Sequence, residues 1–226
     1  MTAPRDLTAN LGYREEILRF GYASPDNAAA LRVMCRDDPE FFFDTFVYTY
    51  DPRQKPSRQP FILYPYQRES LADVSAAIGV HDLKILKSRD MGASWLVLTT
   101  FLWKWLFAPV GESYLLVSRN ESYVDGGSKS LFWKLDYVLD TLPGWLTPAY
   151  QRNKLRLTNL ATGSSIDGES TTGQVAPAGR VRSVRFAGWV QCSLLHERRD
   201  DVPRFHVHAK WNGERISCRR RKQRDP

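Results

Sequence analysis

The sequence predicts an α/β protein built on a doubly wound parallel sheet, and three observations carry that prediction. LKIL at residues 83–86 is a short candidate for a buried strand, and SYLLVS at 113–118 is a second, too apolar to face water. Between them lies an apolar segment from Ser94 to Phe107, of helical length. After them, Leu131, Leu135, Val138 and Leu142 recur at helical spacing within an amphipathic stretch from Gly127 to Leu142. Strand, turn, helix, strand, helix is how such a sheet begins.

The elements around this centre follow in order. Residues 1–60 form a helical lead-in with a proline-rich connector. Tyr13 to Ala23 is amphipathic, and Asp37, Asp38, Pro39 and Glu40 make a helix start before an aromatic helix from Phe41 to about Tyr48. Pro52 to Pro60 is basic and proline-rich, which marks a connector. Residues 61–180 hold the sheet, opening on an apolar stretch and a helix from about Tyr66 to Ile78. Lys87 to Ser94 is a polar turn, Leu155 to Leu157 alternates as a strand does, and residues 161–179 are rich in Gly, Ser and Thr. Residues 181–226 show no sustained period, and an irregular basic tail is expected there.

The totals narrow the class. A chain of 226 residues has room for one α/β domain with a short appendage, and 42% hydrophobic residues can fill its core. Cys35, Cys192 and Cys218 form neither an even framework nor a CxxC pair, which fits free thiols in a reducing cytoplasm. The first residues lack the basic-then-apolar order of a signal peptide. The most apolar run, Trp95 to Phe107, is interrupted by Lys104 and falls short of the ~20 residues a membrane span needs. No membrane partner is expected. The net charge of +7 is unevenly placed: residues 180–226 hold 13 Lys+Arg against 5 Asp+Glu, a surplus of +8, leaving −1 for the rest. The basicity is a property of the tail.

The chemistry points to the turn after the first strand. A phosphate-binding loop needs backbone N–H groups aimed at the phosphates, a cation for their charge and a hydroxyl for Mg²⁺. The usual pattern is GxxxxGK[ST]; here Gly92 and Ser94 occupy the second glycine and the hydroxyl, while Ala93 stands where the lysine belongs. Lys87 takes the place of the first glycine and Arg89 follows, so positive charge is available from the leading end. A basic turn before an apolar helix accounts for the same residues, and spacing alone does not separate the two. Upstream, Tyr64-Pro65-Tyr66-Gln67 offers an amide that pairs with both edges of adenine and an aromatic ring for stacking, though it also makes an ordinary helix start. Ser118 to Glu121 places charged residues after the second strand, where ligands bind in this architecture.

The ordered set PYQ, KSRDMGASWL, LLVSRNE, SLFWKLDYVLDTLPGWL and NLATGSSIDGESTTGQVAPAGR resembles the ATPase half of phage large terminases, Mu-like prophage types above all, over residues 37–180. The resemblance implies an incomplete P-loop sheet of the ASCE kind, ATP and Mg²⁺ as cofactors, and a lysine at the head of the loop. Tyr66 and Gln67 would then meet adenine. The loop from Lys87 through Ser88, Arg89, Asp90, Met91, Gly92 and Ala93 to Ser94 would hold the phosphates, with Ser94 on Mg²⁺ through the nucleotide. It further implies action on double-stranded DNA in a bacterial host cytoplasm, with a portal protein and a small terminase subunit as partners.

The pattern then breaks. The family places an apolar strand ending in Asp-Glu after this region, whereas Arg180 to Trp189 holds no acidic residue. The nearest substitute is Glu197, after Leu194-Leu195-His196; histidine is a poor stand-in for a magnesium-binding carboxylate. The tail is therefore expected to be a disordered or frame-shifted extension of a terminase truncated before its second carboxylate motif and its nuclease domain. His196, His206, His208, Cys192 and Cys218 match no standard zinc spacing. Three readings stand: an ATP-binding terminase fragment with impaired or absent hydrolysis; a complete small ATPase with Glu197 as base; and a non-enzymatic DNA-binding or capsid-interaction protein acting through its basic tail.

Overall fold

A computed structural model describes residues 3–81, 83–86, 90–109, 111–128 and 130–171, with Leu86 as backbone, together with the backbone of 182–187, 191–196 and 205–207. Three capped helices open the chain. In α1 (Leu7–Ala23) the Asp6 carboxylate accepts the Ala9 N–H at 2.9 Å; in α2 (Pro25–Asp37) Ser24 accepts that of Asn27 at 3.1 Å; in α3 (Pro39–Phe46) Asp38 accepts that of Phe41 at 3.0 Å. The last is the acidic, proline-led start read in the sequence.

The lead-in differs from expectation after Phe46. Tyr48–Tyr50 (β1) pairs antiparallel with Arg58–Pro60 (β2), Thr49 opposite Gln59, so the aromatic helix stops early and the connector returns as a hairpin. Tyr-Thr-Tyr suits a strand better than a helix, and the Arg58 guanidinium lies over the Tyr48 ring, 3.9 Å from its centroid. Arg14 secures this junction from below. It is 1% exposed and donates to Asn10 Oδ1 at 2.7 Å, the Val47 carbonyl at 2.9 Å and the Phe43 carbonyl at 3.3 Å. Burial lowers its pKa to about 10, against the opposing pull of Tyr48 and Asp44.

The central elements fall where the sequence puts them: α4 (Pro65–Ala77), β3 (Leu83–Leu86), α5 (Ala93–Phe107) and β4 (Ser113–Ser118). Then come the short α6 (Glu121–Asp125) and α7 (Leu131–Thr141). The amphipathic stretch does not run unbroken from Gly127, because Gly127 sits at φ +142° and Ser130 caps a new helix by accepting the Trp133 N–H at 3.2 Å. The strands β5 (Tyr150–Asn153), β6 (Arg156–Asn159), β7 (Ser165–Ser170), β8 (Arg182–Ala187), β9 (Gln191–His196) and β10 (Phe205–Val207) complete the order.

One eight-stranded sheet runs β10-β3-β9-β8-β4-β7-β6-β5. β4 is parallel to both its neighbours, β7 and β8, and β10 is parallel to β3; the remaining pairs are antiparallel. The sheet is thus mixed, not parallel throughout, and connection length explains its β7-β6-β5 edge. β5 to β6 is joined by two residues, Lys154 and Leu155, and β6 to β7 by five, too few for the crossover a parallel pair requires. The stretch expected to be irregular contains β8, β9 and β10 among its described residues.

Alternation along β4 sorts its two faces. Tyr114 packs edge-on against Phe101 of α5 at 5.4 Å, and with Leu116 it joins the continuous core of α5, α6 and α7. On the same face of β7, a Cβ at Gly168 would fall 2.6 Å from Val124 Cγ1 and 2.7 Å from Phe132 Cε2, so only glycine lets α6 and α7 approach this closely. Leu115 and Val117 point the other way; they are buried but stand apart from that core. Helices on both faces were expected, and among the described residues α5, α6 and α7 cover one. Two indoles anchor α5: Trp103 Nε1 donates to the Cys35 carbonyl at 2.7 Å and Trp105 Nε1 to that of Ser164 at 3.0 Å. Among the described residues, no helix is long and apolar enough to cross a membrane.

Candidate functional site

The start of α4 is held from beneath by α3. Asp44, 3% exposed, accepts the Leu63 N–H at 2.9 Å and pairs with Arg68, which also pairs with Glu40. These contacts fix Tyr64 to Gln67 against the body of the protein. Gln67 is 4% exposed, and its amide has two partners: Oε1 accepts the Tyr64 N–H at 3.0 Å, and Nε2 donates to the Met91 carbonyl at 3.1 Å. The tyrosines beside it stack, with ring centroids 5.7 Å apart and planes 6° from parallel.

Gly92 begins α5 in the left-handed region at φ +72°, ψ 2°, and a Cβ there would lie 2.8 Å from Gln67 Nε2. Conformation and close approach both demand glycine. No side chain caps α5, and the Gly92 carbonyl takes the Leu96 N–H at 2.9 Å as the helix's first turn closes. The N–H groups just inside that end have no intrahelical acceptor, and together with the helix dipole they favour an anion. Asp90, also at positive φ (+60°), pairs with Arg53 of the hairpin at 3.3 Å; Arg53 is in turn held by both oxygens of Asp51, at 2.9 and 3.0 Å.

These pieces line one cleft of about 930 Å³. Of the residues singled out in the sequence, Tyr66, Gln67, Asp90, Met91, Gly92, Ala93 and Ser94 all line it. Lys87, Ser88, Arg89 and Glu197 lie outside the described residues. The strand-end group at 118–121 does not line the cleft: Arg119 is occupied with Tyr123, donating to its hydroxyl at 2.8 Å, and Glu121 pairs with Lys154. The carboxylate-free stretch after Arg180 supplies β8, parallel to β4 with Leu116 opposite Val184. Among the described residues, no group of three or more His, Cys, Asp or Glu could hold a metal ion. The cysteines and histidines of the tail lie outside the residues whose side chains are described.

Sequence reasoning passed over further residues of the cleft. Tyr50 of β1, Arg53 of the hairpin, Trp95 of α5 and Lys134 of α7 line the cleft too. Tyr50, Trp95, Trp133 and Tyr137 form an aromatic group with centroids 5.3 to 6.3 Å apart. Lys134 stands within it, its ammonium donating to the Ser130 carbonyl at 3.3 Å and lying 5.8 Å from the Trp95 centroid. Burial lowers its pKa to about 8. A single lysine on an amphipathic helix carries no motif, so only the pairing of α7 with β1 and α5 reveals it.

The chain matches no protein-family model and none of the curated proteins.

Proposed function

We propose that the chain binds ATP in the cleft between α4 and α5, as the nucleotide-binding part of a viral DNA-packaging motor of the large-terminase kind. The observation that carries this reading is the meeting of two separate sequence motifs in one cavity: Tyr66 and Gln67 from one side, Met91 to Ser94 from the other. The residues suit the ligand. The uncapped N-terminus of α5 offers backbone donors to phosphate oxygens, and Ser94, the second residue of α5, is a hydroxyl lining the cleft that suits Mg²⁺. Tyr64 and Tyr66 give a flat surface for a base, at the end of the cleft where the Gln67 amide sits. The bound Mg²⁺·triphosphate would supply the phosphoryl chemistry; the chain's own residues seat and orient it. Binding without rapid turnover fits the absence of carboxylates from Arg180 to Trp189, since charge stabilisation and positioning do nearly all the work of phosphoryl transfer.

Isothermal titration of the full chain with Mg²⁺·ATP tests this. Saturable binding that weakens at least tenfold in Lys87→Ala and in Ser94→Ala is expected; no saturable binding by the wild type at millimolar ATP overturns it.

The +8 surplus in residues 180–226 favours a second reading, a non-enzymatic protein that holds DNA phosphates through its tail. That reading requires salt-sensitive DNA binding that survives Lys87→Ala and is lost when residues 219–226 are removed.

A further inference from the structure

We propose that Lys134 is a second cation for the phosphate chain of the ligand, so that α7 adds its charge to that of Lys87 at the head of the loop, in place of the lysine missing at position 93. The inference rests on the nucleotide reading above and adds to it the residue that makes the cleft prefer a triphosphate over a monophosphate.

Three observations support it. Lys134 lines the same cleft as Gly92, Ala93 and Ser94 at the uncapped end of α5. Its surroundings are aromatic: Trp95 lies beneath the ammonium and Tyr50, Trp133 and Tyr137 complete the group. Such a wall keeps water from the ammonium, which disfavours its charged form and strengthens its attraction to any anion that reaches it. The loop itself carries Ala93 at the position where the usual motif has lysine, its own cations Lys87 and Arg89 stand at the leading end, and Asp90 is paired with Arg53. Arg53 is a weaker alternative, since it is 68% exposed and held by Asp51. Lys134 is placed on a packed helix, so its charge comes from a fixed origin.

The test uses the full chain with three probes: Mg²⁺·ATP, AMP and inorganic tripolyphosphate. In Lys134→Met, affinity for ATP and tripolyphosphate should fall at least tenfold while affinity for AMP changes less than twofold; Lys134→Arg should retain most of the triphosphate affinity. An unchanged ATP-to-AMP ratio in Lys134→Met overturns the role of Lys134 and leaves the nucleotide reading standing. Binding of tripolyphosphate but not ATP or AMP overturns the adenine side of the reading and leaves Lys134 in place. Failure of the wild type to bind any probe overturns both. Should Lys134→Met fail to fold, the wild type decides: acylation of Lys134, followed by peptide mass spectrometry, should be slowed by tripolyphosphate and not by adenosine. Equal acylation rates with and without tripolyphosphate overturn the proposal.

Discussion

The side-chain amide of Gln67 joins two segments that lie far apart in the chain, closing the first turn of α4 on Tyr64 and reaching the Met91 carbonyl at 3.1 Å. An incoming base that used both edges of this amide would have to take it from those partners. In the described conformation Gln67 is therefore a brace between helix and loop, and its replacement has a cost even without ligand. Gln67→Met keeps the volume and removes both bonds, leaving a buried N–H and a carbonyl without these partners. Urea unfolding should show a loss of about 1–3 kcal/mol. A midpoint within error of the wild type would show that the brace contributes nothing.

Gly92 and Gly111 separate two demands made of glycine. Both have positive φ, +72° and +82°, but a Cβ at Gly111 meets nothing within 4 Å, whereas one at Gly92 meets Gln67 Nε2 at 2.8 Å. Gly111→Ala should cost about 1–2 kcal/mol for the left-handed backbone alone. Gly92→Ala should cost more and should also displace Gln67, with weaker ATP binding in the same titration. Equal thermal shifts for the two variants would show that the contact with Gln67 is readily relieved.

Arg14 anchors α1 to the end of α3 through hydrogen bonds made by a charged, buried group. Arg14→Met keeps much of the apolar stem and deletes all three bonds, and denaturant unfolding should register a loss of about 3 kcal/mol. The Asn10 side chain, which accepts from Arg14 at 2.7 Å, loses its best donor. No change in midpoint would mean that the three acceptors find other partners.

Lys134 gives the fold a dependence on pH. Its folded pKa, lowered to about 8 by burial, lies below its ordinary value of 10.5. Between the two, the unfolded chain holds the proton more tightly, so stability contributed through this group rises as pH climbs from about 8 towards 10.5 and is level below. Among the described residues, Tyr50 of β1 and Tyr137 of its own helix belong to the aromatic group beside it, and Asp90 and Arg53 line the same cleft. Lys134→Met should remove this rise, seen as a flatter stability profile across that window. Acylation of the wild-type amine should reach half its limiting rate near pH 8; a midpoint near 10.5 would show a fully hydrated ammonium.

Much of this was legible in the chain itself, and the limits have physical causes. SYLLVS and the apolar helix before it were readable because most of their residues are buried, and burial leaves an apolar signature; Leu83 and Ile85 of LKIL are buried too. β7 was not readable: SIDGES is polar, and it is a strand because β4 pairs along its whole length and because Gly168 admits two helices onto it. The hairpin was hidden in a proline-rich stretch, since pairing of Tyr48–Tyr50 with Arg58–Pro60 depends on a reversal that local propensity does not encode. The convergence of Gln67 with Met91 followed from recognising two motifs in order, whereas Lys134 follows only from tertiary packing.

The tight seat at Gly168 has a consequence for the far side of α7. Phe132 rests on that glycine, Arg152 covers the same ring at 4.5 Å, and Lys134 is two residues along the helix from it. One methyl group added to the sheet at 168 would lift the helix that carries the ammonium. The dimensions of the cavity are thus set partly by a strand that contributes no side chain to it.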